Sequence, residues 1–380
     1  MICCACPDRT GSAPRRWCPA TDRPDAREHG NHGAAPARHA GRARPTDPGR
    51  KGTTVGPNQD AGNGTARTRG RLPAALAVAS AAVPALHSLV PDAGVNLGSL
   101  LETFLPWTGL AVLALPAAVA ARRRSVLGTA ALLLPATVWL VLCHDALTPR
   151  TPGAADLTVV QHNVNDVNPD HDDTARALAE AGADLIALEE VTRAVRPVYE
   201  TALAPDHPHH AVVGTVGLWS RHPLTDVRPL DIRPEGIEGD WRRGLRATVR
   251  TPHGDVAVHV AHLPSVRVRS SGFDTAWRDE SAILLGRALA AEEQPRVLLL
   301  GDFNATLDDR GLAPVLSRLD STGKEATDGF AFSWPTSFPV ARIDHVMARG
   351  ATVTHLRTLP ATGSDHLPVE ARVVLSTPKG

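Results

Sequence analysis

Cysteine and aromatic residues are scarce in this sequence. Of the five cysteines, four lie near the N-terminus (Cys3, Cys4, Cys6 and Cys18), at spacings that match no standard zinc-binding pattern. We interpret these four as incidental, and the alternative is a metal cluster, a redox cluster or a lipidated terminus. The fifth, Cys143, lies in an apolar stretch. No cysteine follows it, so the C-terminal part needs no disulfide in any compartment, and no Cys/His cluster there suggests zinc.

Large aliphatic residues are lacking at the N-terminus. Residues 1–71 are rich in proline, glycine, alanine and arginine, and they contain almost no leucine, valine, isoleucine or phenylalanine. Such a segment cannot bury enough apolar surface to offset the entropy that it would lose on ordering. The composition therefore predicts a disordered, basic tail over residues 1–71.

An excess of charge of one sign is also lacking, because 40 Lys and Arg residues balance 40 Asp and Glu residues. The balance hides an asymmetry: the N-terminal tail is basic, and the chain from residue 150 onward is acidic. A nucleic-acid-binding protein needs a basic face that follows the phosphates. The acidic C-terminal part therefore disfavours nucleic acid as a partner. No feature of the sequence indicates an obligate protein partner.

Three long apolar segments follow the tail, at about residues 72–90, 104–121 and 125–144. Each approaches the roughly 20 residues that a helix needs to span a bilayer. They predict three transmembrane helices, and the alternative is a set of buried core helices. The first segment is the weakest of the three, because it is rich in alanine and contains Pro84 and His87.

The positions of arginine predict the orientation of these segments. Three arginines precede the first segment (Arg67, Arg69 and Arg71), and three more fill residues 122–124, whereas residues 91–103 contain Asp92 and Glu102 and no basic residue. The positive-inside rule then predicts a multi-pass protein of the cell membrane, with the chain after the linker at residues 147–155 outside the cytoplasm. If the first segment does not insert, the C-terminal part faces the cytoplasm instead.

The apolar run that ends in polar residues at positions 297–305 is the strongest chemical signal. Four apolar residues lead into Gly301, Asp302 and Asn304, a pattern typical of a strand that is buried on both faces and ends sharply. A carboxylate and an amide two residues apart can meet one small target, such as a hard cation, a water or a phosphate oxygen. The alternative is a strand followed by an Asx-turn.

Five further polar clusters lie beside apolar runs: Gln-His-Asn-Val-Asn (161–165), Leu-Glu-Glu-Val (188–191), Ala-His-Leu-Pro-Ser (261–265), Arg-Ile-Asp-His (342–345) and Gly-Ser-Asp-His-Leu-Pro (363–368). Together with the run at positions 297–305, these clusters form an ordered set that resembles the endonuclease/exonuclease/phosphatase superfamily. This superfamily has the fold of DNase I, abasic-site endonucleases, sphingomyelinases and inositol polyphosphate phosphatases. The resemblance covers about residues 156–375. It implies an α+β fold, a four-layer α/β/β/α sandwich like that of DNase I, over residues 156–376.

The resemblance also implies a site for Mg²⁺ or Mn²⁺. Asn163 is expected to help bind metal and phosphate, Glu190 to be a metal ligand, and Asp365 to help hold the metal or to tune the neighbouring histidine. Many relatives with nuclease activity have an aspartate in place of Asn165. The neutral amide of Asn165 weakens a hard-cation site, and its role as a ligand stays in doubt.

The catalytic roles that the resemblance implies fall on five residues. Asp302 is expected to orient or deprotonate the attacking water, with Asn304 beside it. Asp344 is expected to orient His366, which stabilises the charge on a phosphorane-like transition state. His262 is expected to protonate the leaving group, and the alternative is a structural histidine. Abasic-site endonucleases lack this histidine, which favours the phosphoesterase branches of the superfamily.

Substrate contacts are predicted for Asn163, Arg221 and Asn304. Arg221 belongs to Ser-Arg-His-Pro, which resembles a turn of the family, and it either binds phosphate or braces the loop. The aromatic residues at positions 330–335 form either part of the core or one wall of the site, suited to an apolar substrate tail.

Simple patterns predict the remaining elements. Strands are expected at residues 156–161 and 184–188, a hairpin is expected to pair residues 246–250 with 255–262, and an amphipathic helix is expected over 274–291.

Context favours a phosphorylated lipid as the substrate. Three membrane helices would hold an acidic hydrolase domain beside lipid. This architecture resembles the membrane-anchored superfamily members that are linked to teicoplanin and vancomycin resistance and are thought to dephosphorylate undecaprenyl pyrophosphate. The first alternative is an extracytoplasmic nuclease or other phosphodiesterase, and the second is a non-catalytic membrane scaffold that has kept the fold.

Overall fold

The N-terminal helices range from 4 to 25 residues in length. The computed structural model describes residues 61–92, 94–123, 126–270 and 272–375, and its first helices are α1 (Ala61–Ala85), α2 (Leu97–Thr103), α3 (Thr108–Arg123), α4 (Val126–Ala131), α5 (Leu133–Leu142) and α6 (His144–Leu147). The predicted tail lies outside the described residues up to position 60. Residues 61–71, which the sequence analysis placed in the tail, lie in the first part of α1.

Three transmembrane helices are not confirmed by these elements. Among the described residues, one helical stretch, Leu105–Arg122, is long and apolar enough to cross a membrane, while Arg71–Ala85 and Val126–Leu142 are apolar but shorter. The third predicted segment is divided at Leu132, between α4 and α5. Pro135 explains the division, because it has no N–H to donate to the carbonyl four residues earlier.

Strands predominate in the later part of the chain. The strands are β1 (Leu157–Asn163), β2 (Leu185–Glu189), β3 (His209–Val213), β4 (Val216–Ser220), β5 (Leu224–Pro229), β6 (Gly244–Thr251), β7 (Gly254–Ala261), β8 (Arg267–Arg269), β9 (Gly272–Asp274), β10 (Val297–Asp302), β11 (Asp344–Arg349), β12 (Ala351–Thr358) and β13 (Val369–Leu375). The helices are α7 (His171–Glu180), α8 (Arg196–Leu203), α9 (Ala276–Ala290) and α10 (Ala313–Leu316). The predicted hairpin and the predicted helix at 274–291 are confirmed as β6–β7 and α9.

Two sheets contain most of these strands. The first has the order β12-β13-β1-β2-β4-β3, and the second has the order β11-β10-β7-β6-β5. β1 and β2 run parallel in the first sheet, as do β7 and β10 in the second. Because parallel neighbours end at the same edge, Asn163 and Glu189 come together in one sheet, and the ends of β7 and β10 come together in the other.

Each sheet is buried on both faces, which gives four layers. Val159 of β1 and Leu298 of β10 belong to the core between the two sheets. Their neighbours point the other way: Val160 packs with Leu178 of α7, and Leu299 packs with Leu285 of α9. Burial of each such side chain contributes about 2 kcal/mol, so the alternation fixes the register of the central strands. The predicted α/β/β/α sandwich is confirmed.

The apolar helices contact the sandwich through the segment between α1 and α3. Ser99 of α2 donates a hydrogen bond to Asp309 at 2.7 Å, and the indole of Trp107 donates to the carbonyl oxygen of Val340 at 2.7 Å. The indole of Trp139 in α5 donates to the carbonyl oxygen of Pro106 at 2.7 Å, and α3 packs against α5. These contacts bring the apolar helices to the side of the sandwich that carries the loops after β10.

Candidate active site

Polar side chains from six strand ends meet where the two sheets end side by side. Asn163 ends β1, Asp302 ends β10 and Asp344 begins β11, while the others lie in loops that directly follow or precede strands (Glu190, His262 and His366). Five of the six are buried, and the side chain of Glu190 is about one quarter exposed. The parallel pairing within each sheet explains the convergence of residues that are far apart in the sequence.

Asp302 lies at the centre of this group. The amide of Asn163 donates to Asp302 Oδ2 at 3.1 Å, and the backbone N–H of Asn304 donates to Asp302 Oδ1 at 2.9 Å. Gly301 permits this arrangement, because it has φ 152° and an added Cβ would lie 1.9 Å from the carbonyl oxygen of Ala261. Burial and the charge of Asp344 raise the pKa of Asp302, which suits a group that accepts a proton.

Asp344 and His366 form the predicted pair. His366 Nδ1 donates to Asp344 Oδ2 at 2.8 Å, and His366 Nε2 lies 3.8 Å from Asp302 Oδ2. Burial alone would lower the pKa of His366, but Asp344 and Asp302 raise it to about 10. His366 is therefore a cation at neutral pH, and its Nε2–H is available to a phosphoryl oxygen.

Gln161 supports this pair from behind. Its side-chain amide donates to Asp344 Oδ1 at 2.9 Å and to Glu189 Oε2 at 2.7 Å. Burial, together with the charges of Asp344 and Asp302, raises the pKa of Glu189 well above its usual range. Gln161 and Glu189 both belong to the polar clusters of the sequence analysis. The sequence does not reveal, however, that they form a hydrogen-bonded chain with Asp344 beneath the site.

His262 is neutral in this arrangement. Its Nε2 lies 3.6 Å from Asp302 Oδ2 and 3.9 Å from Glu190 Oε1. Burial and the charge of Arg243 lower the pKa of His262 well below its usual range. The charged histidine of the site is thus His366, and the proposed role of His262 in protonating the leaving group stays a prediction.

Arg243 is a site residue that the sequence analysis missed. Its Nη1 lies 3.4 Å from His262 Nδ1, and its guanidinium lies over the Trp241 ring, 5.4 Å from the centroid. The charges of Glu190 and Asp302 act on it, although burial lowers its pKa. The register of the predicted hairpin contained the signal, because extending it backwards places Arg243 beside His262, whose N–H donates to the Arg243 carbonyl.

Glu190 is the most accessible carboxylate of the group and the best candidate to hold a metal ion. It has φ 60°, its Oε2 accepts from the N–H of Asp166 at 3.1 Å, and its Oε1 accepts from the amide of Asn163 at 3.3 Å. Carboxylate and amide oxygens suit Mg²⁺ or Mn²⁺. Glu190 and Asn163 are therefore the residues that would hold such an ion.

A second group of possible ligands serves proton transfer better than metal binding. Single atoms of Asp302, Asp344 and His366 lie within 4.8 Å of one another. Asp344 already binds His366 Nδ1 and Gln161, and Asp302 Oδ1 already binds the N–H of Asn304. Asp302 Oδ2 accepts from Asn163 and lies 3.8 Å from His366 Nε2, so the carboxylate and the imidazole are close enough to act on one water or phosphoryl oxygen.

The structure does not bring Arg221 to this site. Arg221 follows β4, whose last residue Ser220 pairs with Leu185 at the start of β2, whereas Glu190 follows the end of β2. Arg221 Nη1 lies 3.6 Å from Asp184, so the residue braces the far end of the sheet. The antiparallel direction of β4, which the sequence analysis did not assign, is the reason that Arg221 lies at the opposite end of the sheet from Glu190, and of its two predicted roles the structure supports the bracing of the loop.

Asp365 also lies apart from the metal ligands that were predicted with it. Its carboxylate is exposed and accepts from the indole of Trp334 at 3.3 Å, and its charge helps to raise the pKa of His366. Of its two predicted roles, the geometry supports the tuning of the histidine, and metal binding stays a prediction. The bend at Ser364, whose hydroxyl accepts from the N–H of His366 at 3.0 Å, turns His366 inward and Asp365 outward.

The two asparagines that follow strands hold loops. Asn165 has φ 54°, and its Oδ1 accepts from the N–H of Val167 at 3.1 Å, so it forms a turn. Asn304 has φ 48°, and its amide donates to the carbonyl oxygen of Leu263 at 3.0 Å, which ties the loop after β10 to the loop after β7. A substrate contact by Asn304 stays a prediction.

A buried general base, a cationic histidine oriented by a carboxylate, a neutral histidine, an arginine and a hard-cation site define a metal-assisted phosphoester hydrolase. Residues 160–366 match the Endonuclease/Exonuclease/phosphatase family, and the chain belongs to this family. It is therefore a hydrolase that acts on phosphoester bonds, and members of the family bind divalent metal ions. No curated protein matches the sequence.

Solved structures resemble the sandwich. A variant of the Staphylococcus aureus beta toxin with bound magnesium ions is 14% identical, and the match covers 58% of this chain and 100% of that one with a TM-score of 0.48. Sphingomyelinase C from Streptomyces griseocarneus is 20% identical, and the match covers 58% of this chain and 99% of that one with a TM-score of 0.44. A mannosyl-6-phosphatase from Bacteroides thetaiotaomicron is 18% identical, and the match covers 57% of this chain and 99% of that one with a TM-score of 0.47. This degree of likeness assigns no substrate to the chain.

Proposed function

We propose that this hydrolase is a multi-pass protein of the cell membrane, with its sandwich outside the cytoplasm, and that it removes phosphate from a phosphorylated lipid such as undecaprenyl pyrophosphate. One observation carries the proposal: helix α2, which lies between α1 and α3, is hydrogen-bonded to the loop that follows the catalytic strand β10. Arg310 Nη2 donates to Glu102 Oε1 at 2.8 Å, and Thr306 Oγ1 donates to the carbonyl oxygen of Glu102 at 3.2 Å.

This docking supports one side of the membrane for residues 91–103 and for the sandwich. If the arginines at positions 122–124 stay in the cytoplasm, three crossings put both outside. The apolar stretch Leu105–Arg122 begins three residues after Glu102. A membrane-spanning α3 would therefore hold the catalytic edge at the bilayer surface, where lipid headgroups carry the phosphoesters.

Charge and resemblance point to the same substrate class. The acidic balance of the chain from residue 150 onward disfavours a polyanionic nucleic acid. The order of apolar segments and sandwich is similar to that of the membrane-anchored members linked to teicoplanin and vancomycin resistance. A role in antibiotic resistance through undecaprenyl pyrophosphate therefore belongs to this proposal.

The residues of the site divide the chemistry among them. Asp302 accepts the proton of the attacking water, and His366, held by Asp344, binds the phosphoryl oxygen on which charge develops. Arg243 adds a second fixed positive charge, and His262 is placed to hydrogen-bond the leaving oxygen. A divalent cation held by Glu190 and Asn163 would supply Lewis-acid polarisation of the phosphoryl group.

The test is phosphate release from undecaprenyl pyrophosphate by the full chain in detergent, with Mg²⁺ and with EDTA, alongside a plasmid-nicking assay. We expect release with Mg²⁺ by the wild type and by Arg221→Ala, an arginine outside the site, and loss of release with EDTA or in His366→Ala. Nicking without phosphate release would move the substrate to nucleic acid. Release that survives both EDTA and His366→Ala would contradict the assigned site.

A further inference from the structure

A cleft lies between the apolar helices and the sandwich. It has about 600 Å³ of space that protein atoms do not fill, part of which is open to solvent. One wall comes from the apolar helices and includes Pro106 and Leu142, and the other comes from the sandwich and includes Phe330 and Phe332. None of the residues assigned to catalysis lines it, so its occupant is not the phosphoryl group that is hydrolysed.

The walls of the cleft are mostly apolar and well ordered by packing. Phe332 stacks on Phe330 with ring centroids 5.1 Å apart and on Trp107 with centroids 5.8 Å apart. Trp107 immediately precedes α3, so the aromatic wall continues into the stretch that is suited to a bilayer. Such a surface fits a hydrocarbon chain that enters from the membrane.

A buried cation interrupts this apolar lining. Arg342 is 9% exposed and lines the cleft. Its guanidinium donates to Thr327 Oγ1, which is the one hydrogen bond that its side chain makes to the described residues. Burial lowers the pKa of Arg342 to about 10, and the group stays charged at neutral pH.

Asp308 is the carboxylate whose charge acts on Arg342, but it does not neutralise the guanidinium. Asp308 acts on Arg342 through its charge, but its Oδ1 is bonded to Lys324 Nζ at 2.6 Å. A guanidinium has five N–H donors, and those of Arg342 that do not bond Thr327 are available to an acceptor in the cleft. Phosphate is the acceptor whose shape best matches such a planar donor, because it can take two parallel hydrogen bonds.

We propose that this cleft binds a phosphate-bearing lipid, with the phosphate at Arg342 and one hydrocarbon chain between Leu142 and Phe332. The proposal does not depend on which phosphoester the catalytic site cleaves. Two sources share this chemistry, a glycerophospholipid of the bilayer and a polyprenyl phosphate related to the proposed substrate. Because the cleft lies between the apolar helices and the loops around the site, a lipid bound there would contact both and stabilise their association.

Binding is measured on the full chain in an uncharged detergent by native mass spectrometry, with four separate additives. These are phosphatidylglycerol, polyprenyl monophosphate, diacylglycerol and inorganic phosphate. We expect one phosphate-bearing lipid per chain, and much weaker binding of diacylglycerol, which lacks the phosphate, and of inorganic phosphate, which lacks the chain. Tighter binding of the polyprenyl phosphate than of phosphatidylglycerol would identify the substrate-related source, and the reverse would identify the bilayer lipid.

Three variants complete the experiment. Arg342→Gln removes the charge and should weaken lipid binding by about tenfold or more, because hydrogen bonds to charged groups are lost. Leu142→Trp fills the cleft from the helical side and should abolish binding, so the test stands even if Arg342→Gln does not fold. Arg287→Gln changes an exposed arginine of α9 and should leave binding unchanged.

Several results would overturn the proposal. Diacylglycerol that binds as tightly as phosphatidylglycerol would show that no phosphate is recognised. Inorganic phosphate that binds as tightly as the lipid would show an anion site without a chain. Unchanged lipid binding in both Arg342→Gln and Leu142→Trp would show that the lipid lies elsewhere on the protein.

Discussion

Glu102 and Arg310 form a partly buried ion pair that joins the apolar helices to the catalytic sandwich. Arg310 Nη2 donates to Oε1 of Glu102 at 2.8 Å, Arg310 Nε donates to Oε2 at 3.0 Å, and the backbone N–H of Arg310 donates to Oε2 at 3.0 Å. The side chain of Glu102 is 2% exposed, and that of Arg310 is 32% exposed. Because Arg310 follows the loop after β10, the pair ties that loop to the segment that precedes α3.

Loss of this pair should destabilise the protein. Glu102→Gln removes the charge and leaves Arg310 with weaker acceptors, and we expect a loss of about 2 kcal/mol in the free energy of unfolding, as for other charged hydrogen bonds. The measurement is thermal unfolding in detergent, with Glu293→Gln, an exposed glutamate, as the matched control. Equal unfolding temperatures for Glu102→Gln and the wild type would show that the pair contributes no stability.

The same pair predicts a dependence of stability on pH. Burial would raise the pKa of Glu102, but its hydrogen bonds to Arg310 lower it below the usual value of 4.5. A carboxyl whose pKa is lower in the folded state contributes stability above its unfolded pKa and loses it as the pH falls through the folded pKa. The difference in unfolding temperature between wild type and Glu102→Gln should therefore shrink as the pH falls below about pH 4. A difference that grows on acidification would contradict this sign.

The sequence was sufficient to predict the sandwich and the central group of the site. Val297 and the three leucines after it are apolar on both faces, so a buried strand ending at Asp302 follows from local pattern alone. Asn163, Glu190, His262, Asp344 and His366 lie at the ends of other strands in family order, and the pairing within the two sheets brings them together. The same logic failed for Arg221, because the direction of β4 depends on the pairing of distant strands.

Other features depend on contacts that the sequence does not encode locally. The docking of Glu102 on Arg310 joins residues that are 208 positions apart, and neither lies in a recognisable motif. Arg243 follows another arginine, and this local sequence alone does not indicate a site residue. The β6–β7 register is what places Arg243 beside His262. The division of the third apolar segment at Leu132 depends on Pro135, which a composition window does not register.

Asp302 should carry the largest single contribution to the chemical step. Asp302→Asn keeps the shape and the hydrogen bond from the Asn304 N–H but cannot accept the proton, and we expect kcat to fall by about 10³-fold, as for loss of a general base. The change should leave KM nearly unaffected, because Asp302 acts on the attacking water rather than on the substrate. Steady-state kinetics on a phosphoester that the wild type cleaves provide the measurement. A rise in KM at unchanged kcat would instead make Asp302 a binding residue.

Asp344 and His366 should act as one unit. Asp344→Asn removes the charge that keeps His366 protonated, and His366→Gln removes the donor itself, so each should lower kcat by about 10²-fold or more. The double variant should be no worse than His366→Gln, because the carboxylate acts only through the histidine. Single-turnover rates for the wild type, the two single variants and the double variant close the cycle. Losses that multiply would mean that Asp344 has a separate role.

Arg243 should affect both substrate affinity and the ionisation of His262. Arg243→Gln removes a positive charge beside the phosphoryl site, and we expect kcat/KM to fall by about tenfold or more, as for loss of one charged hydrogen bond. Burial and Arg243 together lower the pKa of His262, so removal of the guanidinium should raise that pKa toward its usual value.

The pH dependence separates the two effects of this substitution. If neutral His262 is needed in the free enzyme, the acid limb of the kcat/KM profile should move to higher pH in Arg243→Gln, because the ring now becomes protonated sooner as the pH falls. Arg242→Gln is the matched control, since its side chain is exposed and pairs with Asp240 at 2.7 Å, away from His262. A lower kcat/KM without any shift of the acid limb would assign Arg243 to phosphate binding alone, and an unchanged kcat/KM would remove it from the site.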